Sequence, residues 1–236
     1  MVGWTAASVG IATAGVRAIT VGLGMSAWAT AAVLVNPGVW LSARLLTADA
    51  MALALVIMAL LAFLRNRKVL ALILLVLAAL ARETSILVAI GLAGYELVRG
   101  RARQGVILAS VPSLALAAWL LVVEARIGGV LESADNFTTP MAGIISSASV
   151  WSQTPARDQF FVGITLSALV AAALLPWFRP SLWRWLVWPW LGLATILSHW
   201  AWDFGNNAAR TMAPLMAFVV VAAFHGRGNS GPQKSA

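Results

Sequence analysis

The chain of 236 residues contains no cysteine and only two histidines, and charged residues of both signs make up 10% of it. Without thiols it forms no disulfide, binds no metal through thiolate and has no cysteine nucleophile. Two histidines leave little for a metal centre, and no cofactor is expected. Soluble domains carry about 25% charged residues. The polar stretches here are too short to form a separate extramembrane domain.

What fills the chain is apolar. Hydrophobic residues make up 61% of it and the mean hydropathy is +0.89, where soluble domains are about 45–50% apolar. At about 20 residues per span there is room for about eight or nine transmembrane or half-spanning helices. The expected fold class is therefore an all-α polytopic integral membrane protein. The first apolar run does not read as a signal peptide, because no basic stretch precedes it and it leads straight into further apolar sequence.

Sixteen Lys and Arg against eight Asp and Glu give a net charge of +8. In a soluble protein this would point to nucleic acid. Here the cations sit in short loops between apolar runs, where the positive-inside rule accounts for them, and nucleic acid is not an expected partner.

Apolar runs broken by charge, Gly or Pro predict helices at roughly 3–20, 25–42, 47–64, 69–81, 85–98, 105–125, 159–177, 182–199 and 208–224. Residues 1–225 then form one helical domain. An outer loop at about 127–158 interrupts it, rich in Ser, Thr, Gly and Pro and expected to be structured. The Gly/Ser-rich tail 226–236 is expected to be disordered and cytoplasmic. If Arg65, Arg67 and Lys68 face the cytoplasm, alternation brings Arg99, Arg101, Arg103, Arg179, Arg184, Arg227 and Lys234 to the same side, with no acid in those loops. Nearly all the acids fall on the other side, and the cation count makes the register consistent with the positive-inside rule for a bacterial inner-membrane protein. The same register puts Arg17 inside and Met1 outside.

The run Val69–Val98 is interrupted by Arg82-Glu83-Thr84. As one helix it would be about 45 Å long, against a hydrocarbon core of about 30 Å, with charge at its middle. Two half-spans of about 20 Å are expected instead, with Arg82 and Glu83 at the tip in a sheltered, water-accessible cavity facing the outer leaflet.

Ionisable groups at membrane depth are functional candidates, since each costs about 2.5–3.5 kcal/mol at the bilayer centre. The outer-side set is Arg44, Asp49, Arg82, Glu83, Glu124, Arg126, Asp135, Arg157, Asp158, Asp203 and Arg210, with His199 nearby. Guanidinium groups among acids suit an anionic ligand such as phosphate, which Arg binds bidentately. Bland readings stand beside this. Arg82 and Glu83 can neutralise one another, and Arg44 and Asp49 are spaced for a local pair. Glu124, Arg126, Arg157 and Asp158 read as interfacial anchors, and so does His199 beside Trp200 and Trp202. The clusters Trp177–Trp190 and Trp200–Trp202 read as aromatic belts, with one or two available as a sugar platform. Asn136-Phe137-Thr138 matches the N-glycosylation sequon. Gly91 and Gly94 suit close helix packing.

Asn36-Pro37-Gly38, Leu41-Ser42 and Thr47-Ala48-Asp49, followed by a long apolar helix and a basic turn, resemble the middle of bacterial polytopic GT-C glycosyltransferases. Ala79-Leu80-Ala81-Arg82-Glu83-Thr84 is similar to the turn of their mannosyltransferase-like members, and Asp203 to Arg210 then Pro214 resembles a late helix start. The resemblance implies sugar transfer, by inverting displacement, from a polyprenyl-phosphate donor to a glycan or lipid acceptor at the outer face. It implies Arg82 and Arg210 for the donor phosphate, and Asp49, Glu83 and Asp203 for the sugar or acceptor pocket. The family carries an acidic catalytic motif in its first external loop, whereas this chain has no acid before Asp49. It is therefore expected to be the C-terminal part or mis-started product of a longer enzyme, or a shortened relative, and no catalytic base is assigned. The alternatives are a transporter or flippase of a lipid-linked or anionic solute, and a non-catalytic subunit packed on a partner membrane protein. Comparison of 1–110 with 111–236 reveals no repeat of the kind many transporters carry.

Overall fold

A computed structural model describes residues 2–25, 27–45, 47–127, 136–178 and 182–224, and all elements of this set are helical. The tail 226–236, Asp135 and Arg179 lie outside the described residues. Helix α1 (Val2–Gly22) is followed by a 3₁₀ turn (Ala27–Thr30), α2 (Ala31–Leu34) and α3 (Pro37–Leu45). Then come α4 (Asp49–Leu64), α5 (Lys68–Ala81), a 3₁₀ turn (Glu83–Ser85), α6 (Ile86–Val98) and α7 (Ala102–Ile127). The chain ends with α8 (Ala142–Trp151), α9 (Ala156–Phe178), α10 (Leu182–Ile196), α11 (His199–Trp202), α12 (Gly205–Thr211) and α13 (Ala213–Phe224).

Helices end where their sequences dictate. At the C-termini of α1, α4 and α6 the chain turns through a left-handed residue, Gly24, Asn66 and Gly100. At each, the next N–H reaches back to the last turn: Met25 to the Thr20 carbonyl at 2.8 Å, Arg67 to Ala62 at 2.8 Å and Arg101 to Glu96 at 2.9 Å. These are Schellman caps, which Gly and Asn favour because they tolerate positive φ. Helix α1 runs parallel to α4, since Trp4 and Ser8 lie beside Thr47 and Met51, and Gly15 meets Ile57. The 69–98 run folds back on itself. Phe63 packs edge-on against Tyr95 with centroids 6.2 Å apart, and Lys68 Nζ donates to Gln104 Oε1. The turns at 65–68 and 99–103 therefore share one end of the bundle, called the basic end below.

Among the described residues, three helices are long and apolar enough to cross a membrane, α1, α7 and α9, or four if α12 and α13, bent by 60° at their junction, count as one span. This is fewer than the eight or nine that counting apolar residues suggests. The difference comes from breaks that composition does not register. The segment expected as one helix over 25–42 is split at Asn36-Pro37, and 208–224 is split at Met212. Pro214 cannot donate to the carbonyl four residues back, at Arg210, and its ring crowds that carbonyl. Helices α4, α5 and α6, with 16, 14 and 13 residues, reach about 20–24 Å at 1.5 Å per residue, short of the hydrocarbon core.

The stretch 127–158, expected to be loop, contains α8, and α9 starts within it. Residues 136–141 are tied down by the end of α10, with Thr138 N–H donating to Ile196 at 2.8 Å and Ser198 N–H to Asn136 at 2.9 Å. The core lies among α4, α10 and α13, with Leu53, Leu60, Leu186, Trp190, Leu215 and Phe218 fully buried. Trp183, Trp190 and Trp202 are core residues and not members of an interfacial belt. Helix α7 is mostly exposed and presents Leu114, Leu121 and Val122 outward, a surface suited to lipid.

Candidate functional site

At the end of the bundle away from the basic turns, four segments meet around Asp49. The carboxylate stands in the first turn of α4 and is 8% exposed. Thr47 Oγ donates to its Oδ2 at 2.7 Å and Ser42 Oγ at 3.2 Å. Arg210, in the last turn of α12, donates to the same oxygen through Nε at 3.0 Å and Nη2 at 2.8 Å. Arg82 Nε approaches the other oxygen, Oδ1, at 3.1 Å, an ion contact that lacks hydrogen-bond alignment. A buried carboxylate is stable only when paired and hydrogen-bonded, and this one has both kinds of partner.

Local structure brings each arginine here. Arg82 is the extended residue (φ −154°, ψ 117°) that separates α5 from the next turn. Arg210 is carried by the short helix that the Pro214 bend sets at 60° to α13. Asn36, just before α3, fixes this bend: its Nδ2 donates to the Ala213 carbonyl at 2.8 Å, and its Oδ1 accepts the Gly38 N–H at 3.0 Å. Gly38 lies so close to α12 that a Cβ there would stand 2.3 Å from the Ala209 carbonyl oxygen.

Arg82 and Arg210 line a cavity of about 790 Å³ whose walls also include Glu83, Trp119, Trp200 and Asn207. Asp49 is not in its wall. The carboxylate thus holds the guanidinium groups from behind. It engages the Nε edge of each and leaves Nη1 of Arg210 and both Nη groups of Arg82 without an acceptor among the described residues. Glu83 is the acidic residue in the cavity wall, with a 63% exposed side chain 3.9 Å from Arg82 Nε.

Of the five residues singled out in the sequence, Arg82 and Arg210 both contact Asp49, and Glu83 borders the cavity that the two arginines line. Asp203 goes elsewhere: its Oδ1 accepts a 2.6 Å hydrogen bond from the buried Ser147 Oγ of α8, and it lies outside the cavity wall. Arg82 sits closer to Asp49 than to Glu83, so the two neighbours do not simply neutralise each other. The local Arg44–Asp49 pair is absent among the described contacts, because Asp49 turns inward while Arg44 is exposed. Arg157 Nε lies 3.8 Å from Asp158, and His199 packs on Trp200 with centroids 4.9 Å apart. The described residues include no group of three or more His, Asp or Glu that could hold a metal.

Sequence reasoning did not single out Ser42 and Thr47 as partners of Asp49, nor Trp119 and Asn207 as cavity residues. No local spacing ties Trp119, in the middle of α7, to Arg210. No family model, curated protein or solved structure matches this chain.

Proposed function

We propose that the chain is a polytopic membrane glycosyltransferase of GT-C-like character that binds a polyprenyl-phosphate sugar donor in the Arg82–Arg210 cavity. The reading places it in a bacterial inner membrane, with the basic turns cytoplasmic and the cavity toward the outer leaflet. One observation carries it: two guanidinium groups from remote segments are locked by one buried carboxylate and still present unpaired N–H groups to a cavity of about 790 Å³. Such a prearranged pair suits a phosphate monoester or diester, because the guanidinium forks match its oxygens and need no rearrangement to meet added negative charge.

In this reading an acceptor hydroxyl attacks the anomeric carbon of the donor. The bond from that carbon to the phosphate oxygen breaks, and the polyprenyl phosphate leaves with the bonding pair. Arg82 and Arg210 stabilise the charge that develops on its oxygens. Asp49, engaged by two cations and two hydroxyls, is a poor proton acceptor and positions the arginines. Glu83, which borders the cavity, is the carboxylate placed to take the proton of the attacking hydroxyl. Trp119 and Trp200 offer flat apolar faces to a sugar ring or prenyl chain.

The test is transfer of labelled sugar in membranes from cells expressing the chain. Arg82→Ala and Arg210→Ala should each lower transfer at least about 100-fold, the loss typical when a preorganised charge-stabilising donor is removed. Asp203→Asn should leave transfer within about threefold, because its hydrogen bond can be kept and it lies outside the cavity. Equal losses in all three variants would overturn the assignment. Movement of a lipid-linked sugar across vesicles without transfer would favour the transporter or flippase reading.

A further inference from the structure

The basic end of the bundle carries a second feature, which does not depend on the glycosyltransferase reading. The Schellman turns after α4 and α6 gather Arg65, Arg67, Lys68, Arg99, Arg101 and Arg103 at one end. The acid close to them is Glu96, which is 2% exposed and lies 3.5 Å from Arg101 Nη1. Arg99 is taken up by Tyr95: its Nη1 donates to the phenol oxygen and its guanidinium lies 5.1 Å from the ring centroid. Arg65, Arg67 and Arg103 are exposed, with no acidic partner among the described residues.

At this end α5 and α7, with Phe63 of α4, line a small cavity of about 200 Å³. Lys68 and Gln104 are its polar residues, and the rest of its wall is Phe63, Val69, Leu72, Ile107 and Leu108. Lys68 uses one N–H on Gln104, which holds the ammonium in place and leaves it two donors. The cavity is too small for a partner helix, since one turn at about 10 Å diameter and 5.4 Å pitch fills about 400 Å³. Its apolar wall offers nothing to a free phosphate. An apolar slot with a fixed ammonium, whose chain neighbours Arg67 and Arg103 (beside Lys68 and Gln104) are exposed, has the chemistry of a lipid headgroup site, where basic pockets between helices take anionic heads.

We propose that the α5–α7 groove binds an anionic phospholipid. Lys68 holds the phosphate, with Arg67 and Arg103 flanking it, and an acyl chain lies along Phe63, Val69 and Leu108. The test uses the full chain in phosphatidylcholine nanodiscs titrated with phosphatidylglycerol, with retained lipid read by native mass spectrometry and helicity by circular dichroism. Wild type should enrich phosphatidylglycerol over phosphatidylcholine. Lys68→Ala should weaken this by about fivefold, the worth of one cation near an anionic lipid. Val69→Trp, at a position 73% exposed, fills the groove without changing charge and should weaken it comparably. Arg99→Ala should change retention by less than about twofold, because that guanidinium is already engaged. If Arg99→Ala weakens retention as much as Lys68→Ala, the attraction is a diffuse surface field and the site is refuted. Unchanged retention in Val69→Trp, or displacement of the lipid by inorganic phosphate, would equally overturn it.

Discussion

Asp49 accepts hydrogen bonds from Ser42, Thr47 and Arg210 and an ion contact from Arg82, all within 3.2 Å, while only 8% exposed. The carboxylate and its cations are therefore one unit, and removing the negative charge leaves two guanidinium groups without the carboxylate that both contact. Asp49→Asn should destabilise the protein by about 3 kcal/mol, the loss typical of breaking a buried pair from one side. Arg210→Gln in the same chain should recover part of it, because the excess positive charge falls with the second substitution. Thermal unfolding in detergent of the two single variants and the double variant closes this cycle. Additive losses would mean that the two groups do not depend on each other. The sequence made Asp49, Arg82 and Arg210 candidates one at a time, because charge inside an apolar chain is costly wherever it occurs. Their pairing spans 161 residues for Asp49 and Arg210, a separation that no local pattern reports. Asp203 shows the converse: its cost was equally legible, but it is met by a serine of α8, a helix inside a stretch that reads as loop.

Among the elements, the approach of α3 to α12 has the largest consequence for the site. Gly38 is the point of contact, and Asn36 clamps the far side of the Pro214 bend. Gly38→Ala would push a methyl group to within 2.3 Å of the Ala209 carbonyl oxygen unless α12 moves. That movement carries Arg210 off Asp49. The variant should lose about 1–3 kcal/mol of stability, as overpacked sites do, and should lose the phosphate binding proposed for the cavity. Gly91→Ala tests the specificity of this coupling. It meets the Trp185 carbonyl oxygen at the same 2.3 Å between α6 and α10, so it should destabilise similarly while sparing the affinity of the intact fraction. Equal effects of both on affinity, measured by calorimetry with an isoprenyl phosphate, would detach the α3–α12 contact from the site. That Asn36-Pro37-Gly38 breaks a helix is readable in the sequence. That the break serves as a seat for another helix is not, since the partner lies more than 170 residues away.

For the whole molecule, the absence of cysteine makes the two ends directly measurable, because any introduced thiol is unique. Arg67→Cys and Arg103→Cys should react with an impermeant maleimide from one face of sealed vesicles. Thr139→Cys and Arg157→Cys should react only from the other. Reaction of Arg67→Cys and Arg103→Cys from opposite faces would require α5 and α6 to run on as one span, against the Lys68–Gln104 and Phe63–Tyr95 contacts. The same experiment bears on how helices shorter than a bilayer are accommodated. Apolar runs broken by Pro and Arg leave three or four helices of full length among the described residues, and the short ones must find shelter against their neighbours.

The sequence by itself determined the all-helical class, the apolar surroundings, the reversal at Arg82 and the gathering of cations at one end. Each follows from composition or from interactions within a few residues, such as the intolerance of lipid for charge and the turn-forming preference of Asn and Gly. Only the tertiary structure decided which charges meet, that Asp49 backs two arginines rather than pairing with Arg44, and that Asp203 stands apart. It also decided where helices are too short to span, because Pro214 and Pro37 act through the bends they impose. Those outcomes depend on contacts between segments up to 177 residues apart, which cooperative packing selects and no local preference encodes.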